Sequence, residues 1–203
     1  MLASASPARL AVLKAAGVAP VVHVSGVDED AVAARLDDPA PEHLVTALAR
    51  AKAEAVADAV VAEHPDSVVI GCDSMLSFDG EIVGKPSSAE IARERWHRMA
   101  GRTGELLTGH AVVRLDEGTR VKEASASQTT TVRFTTPNEH ELDAYLATGE
   151  PLAVAGAFTL DGLGGWFIDG VDGDPSSVIG ISLPLTRRLL SEVGVSVAEL
   201  WNR

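Results

Sequence analysis

Cysteine is almost absent from this chain: Cys72 is the only one. That excludes an internal disulfide framework and suits a reducing compartment, so a cytoplasmic location is expected. Aromatic residues make up 4% of the sequence, too few for the stacking platforms that grip single-stranded nucleic acid. Positive charge is scarce as well: 17 Lys and Arg stand against 29 Asp and Glu, for a formal net charge of −12. Such a field opposes non-specific binding to nucleic acid or to an anionic membrane, and neither is expected as a partner. An anionic ligand would therefore need a local cluster of cations or a metal ion. No apolar run is long enough to span a bilayer. The opening Met1 to Pro7 lacks the basic and apolar regions of a signal peptide. There is no GxxxxGK[ST], no CxxC and no HExxH, and "GLGG" does not complete GxGxxG. The six histidines show no metal-ligand spacing.

What is present is a well-patterned globular chain. At 203 residues and 46% hydrophobic, it can bury the core of one domain or two small lobes. "LASAS" reads as a short strand. Ser6 and Pro7 then read as the N-cap and first residue of a helix whose inner face carries Leu10, Leu13 and Ala16, with Gly17 just past its end. "PVVHVSGVDED" reads as a second strand running into an acidic loop. An alanine-rich helix is predicted from Pro41 to about Glu63, with Leu44, Leu48 and Ala51 inward. "SVVIGCDS" is a continuous β-branched run of the kind buried on both faces of a sheet. "LSFDGEIVGKP" reads as a hairpin with Asp79-Gly80 at its tip. Ser87 and Glu90 form a predicted capping box for a helix through Met99 that Gly101 stops. "ELLTGHAVVRL" and "SQTTTVRF" are long strands joined through "DEGTRVKE". Thr136, Pro137 and Glu139 open another helix, which Gly149 closes; "GGWFIDGVDGD" is a late strand and turn, and "LPLTRRLLSEVG" a last amphipathic helix. Long strands paired mid-chain among alternating helices predict a mixed-sheet α/β protein rather than a parallel doubly wound one.

Several residues are placed to carry chemistry, each with a plainer alternative. A helix N-terminus offers free N–H groups and partial positive charge, and Ser4, Ser6 and Arg9 would add hydroxyls and a cation to make a phosphate site. The alternative is an ordinary capped helix with a solvated arginine. Asp73 follows a buried-type strand, where a carboxylate can hold Mg²⁺ or act as a general base toward water; it could equally be an N-cap or turn aspartate, and Ser74 beside it is as ambiguous. Lys85, in "VGKP", sits where a lysine can reach a phosphate. Lys52 lies near the apolar face of the alanine-rich helix and is either a phosphate ligand or a snorkelling side chain. Glu29 in "DED" is a metal ligand or part of a solvated loop. Cys72 reads as a buried structural thiol.

Taken together, "LASASPAR", "ARAKAEAVA", "GCDSMLSFDGEIVGKP", "MAGRTGELLTG", "TTVRF", "ATGEPL", "AGAFTLDGLGGWFIDGVDGDPSSVIG" and "SLPL" resemble the Maf family of nucleoside triphosphate pyrophosphatases in order and spacing over nearly the whole chain. The resemblance implies a single domain over residues 1–203, with two lobes, a mixed sheet like that of inosine triphosphate pyrophosphatases and an interlobe cleft. It implies hydrolysis of a standard or modified nucleoside triphosphate to the monophosphate and pyrophosphate, with Mg²⁺ or Mn²⁺. A homodimer is implied too. By resemblance Asp73 is the water-activating base, Ser4, Ser6, Arg9, Lys52 and Lys85 bind phosphate, and Glu29 joins Asp73 as a metal ligand. Three departures from the family pattern mark specificity positions: Ala8 replaces a basic residue, Ser74 a threonine and Asp161 a glutamine. Two other functions stay open on the sequence. One is a nucleotide-binding regulator of septum formation without essential catalysis; the other is a phosphohydrolase that releases free phosphate.

Overall fold

The protein is described here by a computed structural model covering residues 1–201. Its helices are α1 (Pro7–Ala15), α2 (Glu29–Ala33), α3 (Pro41–Val60), α4 (Ala89–Met99), α5 (Glu139–Ala147), α6 (Pro175–Ile179) and α7 (Leu183–Glu192). Its strands are β1 (Ser67–Phe78), β2 (Glu81–Val83), β3 (Thr103–Asp116), β4 (Thr119–Phe134) and β5 (Ile168–Asp172), in the sheet order β2-β1-β3-β4-β5. β1 pairs antiparallel with β2, and β4 with β5, while Leu2 adds isolated parallel bridges to Val22 and Ile70. No helix among the described residues is long and apolar enough to cross a membrane.

The predicted elements are present, with instructive shifts. The first segment is a single bridging residue, Leu2, rather than a strand. "PVVHVSGVDED" contributes only Val22 to the sheet, and its acidic end is helix α2, capped by Asp28, rather than a loop. The cap of α4 is Ser88, whose Oγ accepts from the Ile91 amide at 3.3 Å, not Ser87. The cap of α5 is Asn138, with Glu141 completing the box, so Thr136 and Pro137 lie before the helix. Between β3 and β4 only Glu117-Gly118 forms the turn, both at positive φ, and "TRVKE" is already strand. The hairpin tip Asp79-Gly80 does adopt positive φ at both residues, as a tight two-residue turn requires.

The chain divides into two compact units. The first comprises Met1–Asp73, Thr108–Gln128 and the residues from Gly180 on; the second comprises Ser74–Leu107 and Thr129–Ile179. The core of the first is aliphatic: Leu2, Leu13, Ile70, Val112, Ile181 and Leu189 gather in one cluster, and the alanines and valines of α3 with Val69 and Val113 in another. The core of the second is aromatic. Trp96, Phe134, Tyr145, Phe158 and Phe167 meet edge to face or tilted, with centroids 5.0–5.9 Å apart.

Candidate active site

Helix α3 positions the centre of the site. Its buried stripe is Val45, Leu48, Ala49, Lys52, Ala53, Val56, Ala57 and Val60, a spacing of three and four residues. The face is rotated by about one residue from the predicted Leu44, Leu48 and Ala51, and this rotation carries Lys52 into the core stripe. Two glycines let the helix backbone lie directly on the strands. A Cβ on Gly71 of β1 would come within 2.3 Å of the Ala49 carbonyl oxygen, and one on Gly109 of β3 within 2.1 Å of that of Val45. A glycine inside a strand is the sequence mark of such an approach.

Two residues beyond Gly71, Asp73 meets the lysine. Lys52 Nζ lies 2.6 Å from Asp73 Oδ1 and 2.6 Å from Glu29 Oε1. Lys52 and Asp73 are buried, 9% and 6% exposed, whereas the Glu29 carboxylate at the start of α2 is half exposed. Asp73 Oδ2 is buried with no hydrogen-bond partner among the described residues. Burial pushes the Asp73 carboxyl up, and the charges of Lys52 and Arg9 and the Lys52 hydrogen bond pull it down without cancelling that; Glu29 adds to the rise. The outcome is a carboxyl above the usual aspartate range. Burial also drives the neighbouring Cys72 thiol up to about 11, so it is neutral and structural, as its sequence context suggests.

The opening stretch folds as a built turn. Ser6 caps α1, its Oγ accepting from the Arg9 amide at 3.4 Å, and Pro7 takes the first helical position. Ser4 Oγ accepts from the Ser6 amide at 3.2 Å and from Arg9 Nη1 at 3.0 Å. Arg9 is not a solvated cation. Its Nε donates to the Gly180 carbonyl at 2.8 Å, and its Nη1 also donates to the Cys72 carbonyl at 2.9 Å. The guanidinium therefore ties α1 to the residue before Asp73 and to the turn before α7. Nothing in the sequence pointed to these carbonyl acceptors, because backbone oxygens carry no residue signature.

The first unit thus holds Ser4, Ser6, Ala8, Arg9, Glu29, Lys52 and Asp73, with Ala8 half-buried on the first turn of α1. Ser74, Lys85 and Asp161 belong to the second unit. There Lys85 is exposed beside Gly84, whose carbonyl accepts from Arg95 Nη1 at 2.7 Å and from the Gly156 amide at 3.2 Å. Asp161 is exposed on a loop wrapped around the Glu150 carboxylate, which accepts from Thr159 Oγ1, from the Leu163 amide at 3.1 Å and from the Gly164 amide at 3.0 Å. Burial would raise the Glu150 carboxyl, but these donors outweigh it and hold it below the usual glutamate range. Glu150 and Arg95 were not singled out in the sequence; Glu150 lies in the "GEPL" run.

Two carboxylates sharing one lysine are a suitable donor set for a small divalent cation. Mg²⁺ takes one or two protein carboxylates and completes its shell with water and substrate phosphate, and Asp73 Oδ2 is an uncommitted oxygen at such a place. No group of three or more His, Cys, Asp or Glu side chains among the described residues could hold a metal, so a fully protein-ligated ion is not supported.

A family model described as Maf-like protein matches residues 1–193. The chain is 70% identical over 202 residues to a protein of Saccharopolyspora erythraea named nucleoside triphosphate pyrophosphatase, covering 99% of this chain and 96% of the relative. Proteins of the same name from Nocardia farcinica and Rhodococcus opacus are 64% and 63% identical, each covering 99% of this chain and 95% of the relative.

Proposed function

The chain belongs to the Maf-like protein family, and on that premise we propose that it is a nucleoside triphosphate pyrophosphatase, releasing pyrophosphate and leaving the monophosphate. The names of its close relatives support the reaction class. The observation that carries the chemistry is the buried Asp73, with Oδ1 held by Lys52 and Oδ2 uncommitted. A carboxyl held above the ordinary aspartate range is a stronger base toward water than an ordinary aspartate.

In this reading the triphosphate lies at the N-terminus of α1, where the partial positive charge of the helix end, the Ser4 and Ser6 hydroxyls and the Arg9 charge favour an anion. Asp73 Oδ2 orients a water and takes its proton. The water oxygen bonds to the α-phosphorus, and the bond from that phosphorus to the bridging oxygen breaks. Lys52 moves its charge from Glu29 and Asp73 toward the phosphates and offsets the negative charge building on the leaving pyrophosphate. Lys85, exposed in the second unit, is a further candidate phosphate ligand. Glu29 and Asp73 would hold Mg²⁺ or Mn²⁺, which supplies charge neutralisation on the phosphate oxygens. Ala8, Ser74 and Asp161 set base preference: the Asp161 carboxylate accepts from amino or ring N–H donors and disfavours an acceptor-rich edge. We place the enzyme in the cytoplasm, in keeping with its lone buried thiol, and expect a homodimer, which light scattering on the purified chain would test.

The deciding experiment incubates purified protein with standard and modified triphosphates and Mg²⁺ or Mn²⁺. One pyrophosphate per monophosphate is expected. Free phosphate alone would make it a different phosphohydrolase, and tight binding without hydrolysis would favour the regulator. Repeating the panel with Ala8→Arg and Asp161→Gln should change the base preference by about tenfold, the scale of one altered polar contact; an unchanged ranking in both removes these positions from specificity.

A further inference from the structure

His110 lies on β3, in the first unit, with no exposed surface. The chemistry above does not use it. Its two ring nitrogens have different neighbours. Nε2 lies 2.8 Å from the backbone nitrogen of Ser182, whose N–H it accepts, and Nδ1 stands 3.0 Å from the Thr108 carbonyl oxygen. An amide N–H only donates and a carbonyl only accepts. The ring that satisfies both is neutral, with its proton on Nδ1. The opposite tautomer sets donor against donor at Ser182 and acceptor against acceptor at Thr108. The imidazolium keeps the clash at Ser182.

The amide that this ring accepts belongs to a turn with a second task. Ser182 caps α7, its Oγ accepting from the Leu185 amide at 3.1 Å. Its own N–H precedes the helix and has no intrahelical acceptor. Ser182 is fully buried, so that N–H would be stranded without the imidazole. Two residues earlier, the Gly180 carbonyl accepts from Arg9 Nε at 2.8 Å. Arg9 in turn holds Ser4 Oγ and the carbonyl of Cys72, the residue before Asp73.

We infer that His110 is a positioning residue for the phosphate cradle. In its Nδ1–H form it fixes the 180–182 turn, and the turn fixes the carbonyl that orients Arg9. This rests on reading Ser4, Ser6 and Arg9 as the cradle for the triphosphate. A histidine that merely fills the core would lower stability when replaced and leave nucleotide binding untouched.

Two measurements decide it on the full chain. Long-range ¹H–¹⁵N correlation spectra of ¹⁵N-histidine protein at neutral pH should show His110 as the neutral Nδ1–H tautomer; an Nε2–H or imidazolium pattern overturns the inference. The second compares His110→Phe, which cannot accept from Ser182, with His110→Gln, whose amide oxygen reaches the place of Nε2. His110→Phe should raise KM, and the Kd of an α,β-methylene triphosphate, by about tenfold with kcat within about threefold, the pattern of lost uniform binding. His110→Gln should restore both to near the parent. A folded His110→Phe with unchanged KM and Kd, or a His110→Gln as weak as His110→Phe, refutes it. If His110→Phe does not fold, the spectra and a parent-like His110→Gln carry the test, and a weak His110→Gln refutes it. A parent chain that binds no triphosphate sinks the cradle reading itself, before any variant is compared.

Discussion

The two units of this protein solve burial in opposite ways. The second holds all four phenylalanines, the tyrosine and two of the three tryptophans, and it builds a dry aromatic core around Trp96. Its ion pairs, such as Arg93 with Glu139 and Asp143 and Arg102 with Asp79, lie on the surface. The first has a core of alanine, valine and leucine, and it buries Lys52, Asp73 and His110 within or beside that core. Small side chains allow helix and strand backbones to approach closely, and that approach brings a lysine and an aspartate from different elements to 2.6 Å. The low overall aromatic content therefore hides a division: one unit is packed for stability, and the other gives up apolar burial to hold charge.

The largest effect that would sharpen this contrast is in the aromatic unit. Trp96 is fully buried, donates its indole N–H to the Ala157 carbonyl at 2.8 Å and meets Phe134, Tyr145 and Phe167 edge to face. Trp96→Ala should cost about 3–5 kcal/mol, read as a fall in the urea midpoint. A loss under about 1 kcal/mol, the scale of a minor repacking, would mean that the aromatic cluster is not what holds this unit together.

Next in size is Asp73→Asn, where stability and activity should separate. Turnover should fall roughly a hundredfold or more, the share of a positioned base. Stability should not fall. Because burial raises the folded-state pKa of Asp73, the unfolded chain releases this proton first as pH climbs. The Asp73 contribution to stability therefore declines from the ordinary aspartate range up through the raised value, and above that value the ionised carboxylate is a burden that Asn lacks. Activity has the opposite sign. The base must be ionised, so the rate falls as pH drops through the raised pKa, with an acid limb above the usual aspartate range. A parental rate in Asp73→Asn, or an acid limb that survives in it, removes Asp73 from the role of base.

Much of this was legible in the sequence, for identifiable reasons. Alternating hairpin strands, capped helices and the positive-φ Asp79-Gly80 turn depend on local chemistry. So does the strand leading to Asp73. What the sequence concealed was close approach between distant segments. Gly71 and Gly109 mark by their type that something approaches each strand, but not which segment does; the structure shows that it is α3, whose depth and inward face they set. The carbonyls of Cys72 and Gly180 that hold Arg9 were invisible for a related reason, since any residue supplies one. Gly71→Ala tests that reading. It should cost about 1–3 kcal/mol through overpacking against the α3 backbone, and it should weaken activity by displacing Lys52 from Asp73. An alanine tolerated without loss of either would mean that helix and strand can part without disturbing the site.

The smallest effect repeats the Asp→Asn change on the other unit. Asp143 on α5 pairs with Arg93 of α4, and its side chain is 61% exposed, against 9% for Asp73. Water already solvates both partners, so the pair gains little over separated ions, and holding two long side chains in register offsets part of that gain. Asp143→Asn should therefore shift stability by only about 0.2–1 kcal/mol, and the shift should shrink as salt screens the pair. Turnover should not change. The same atom replacement is thus expected to act on chemistry at the buried position and on almost nothing at the exposed one. Equal effects at the two positions would mean that burial is not what distinguishes the charges of the first unit from those of the second.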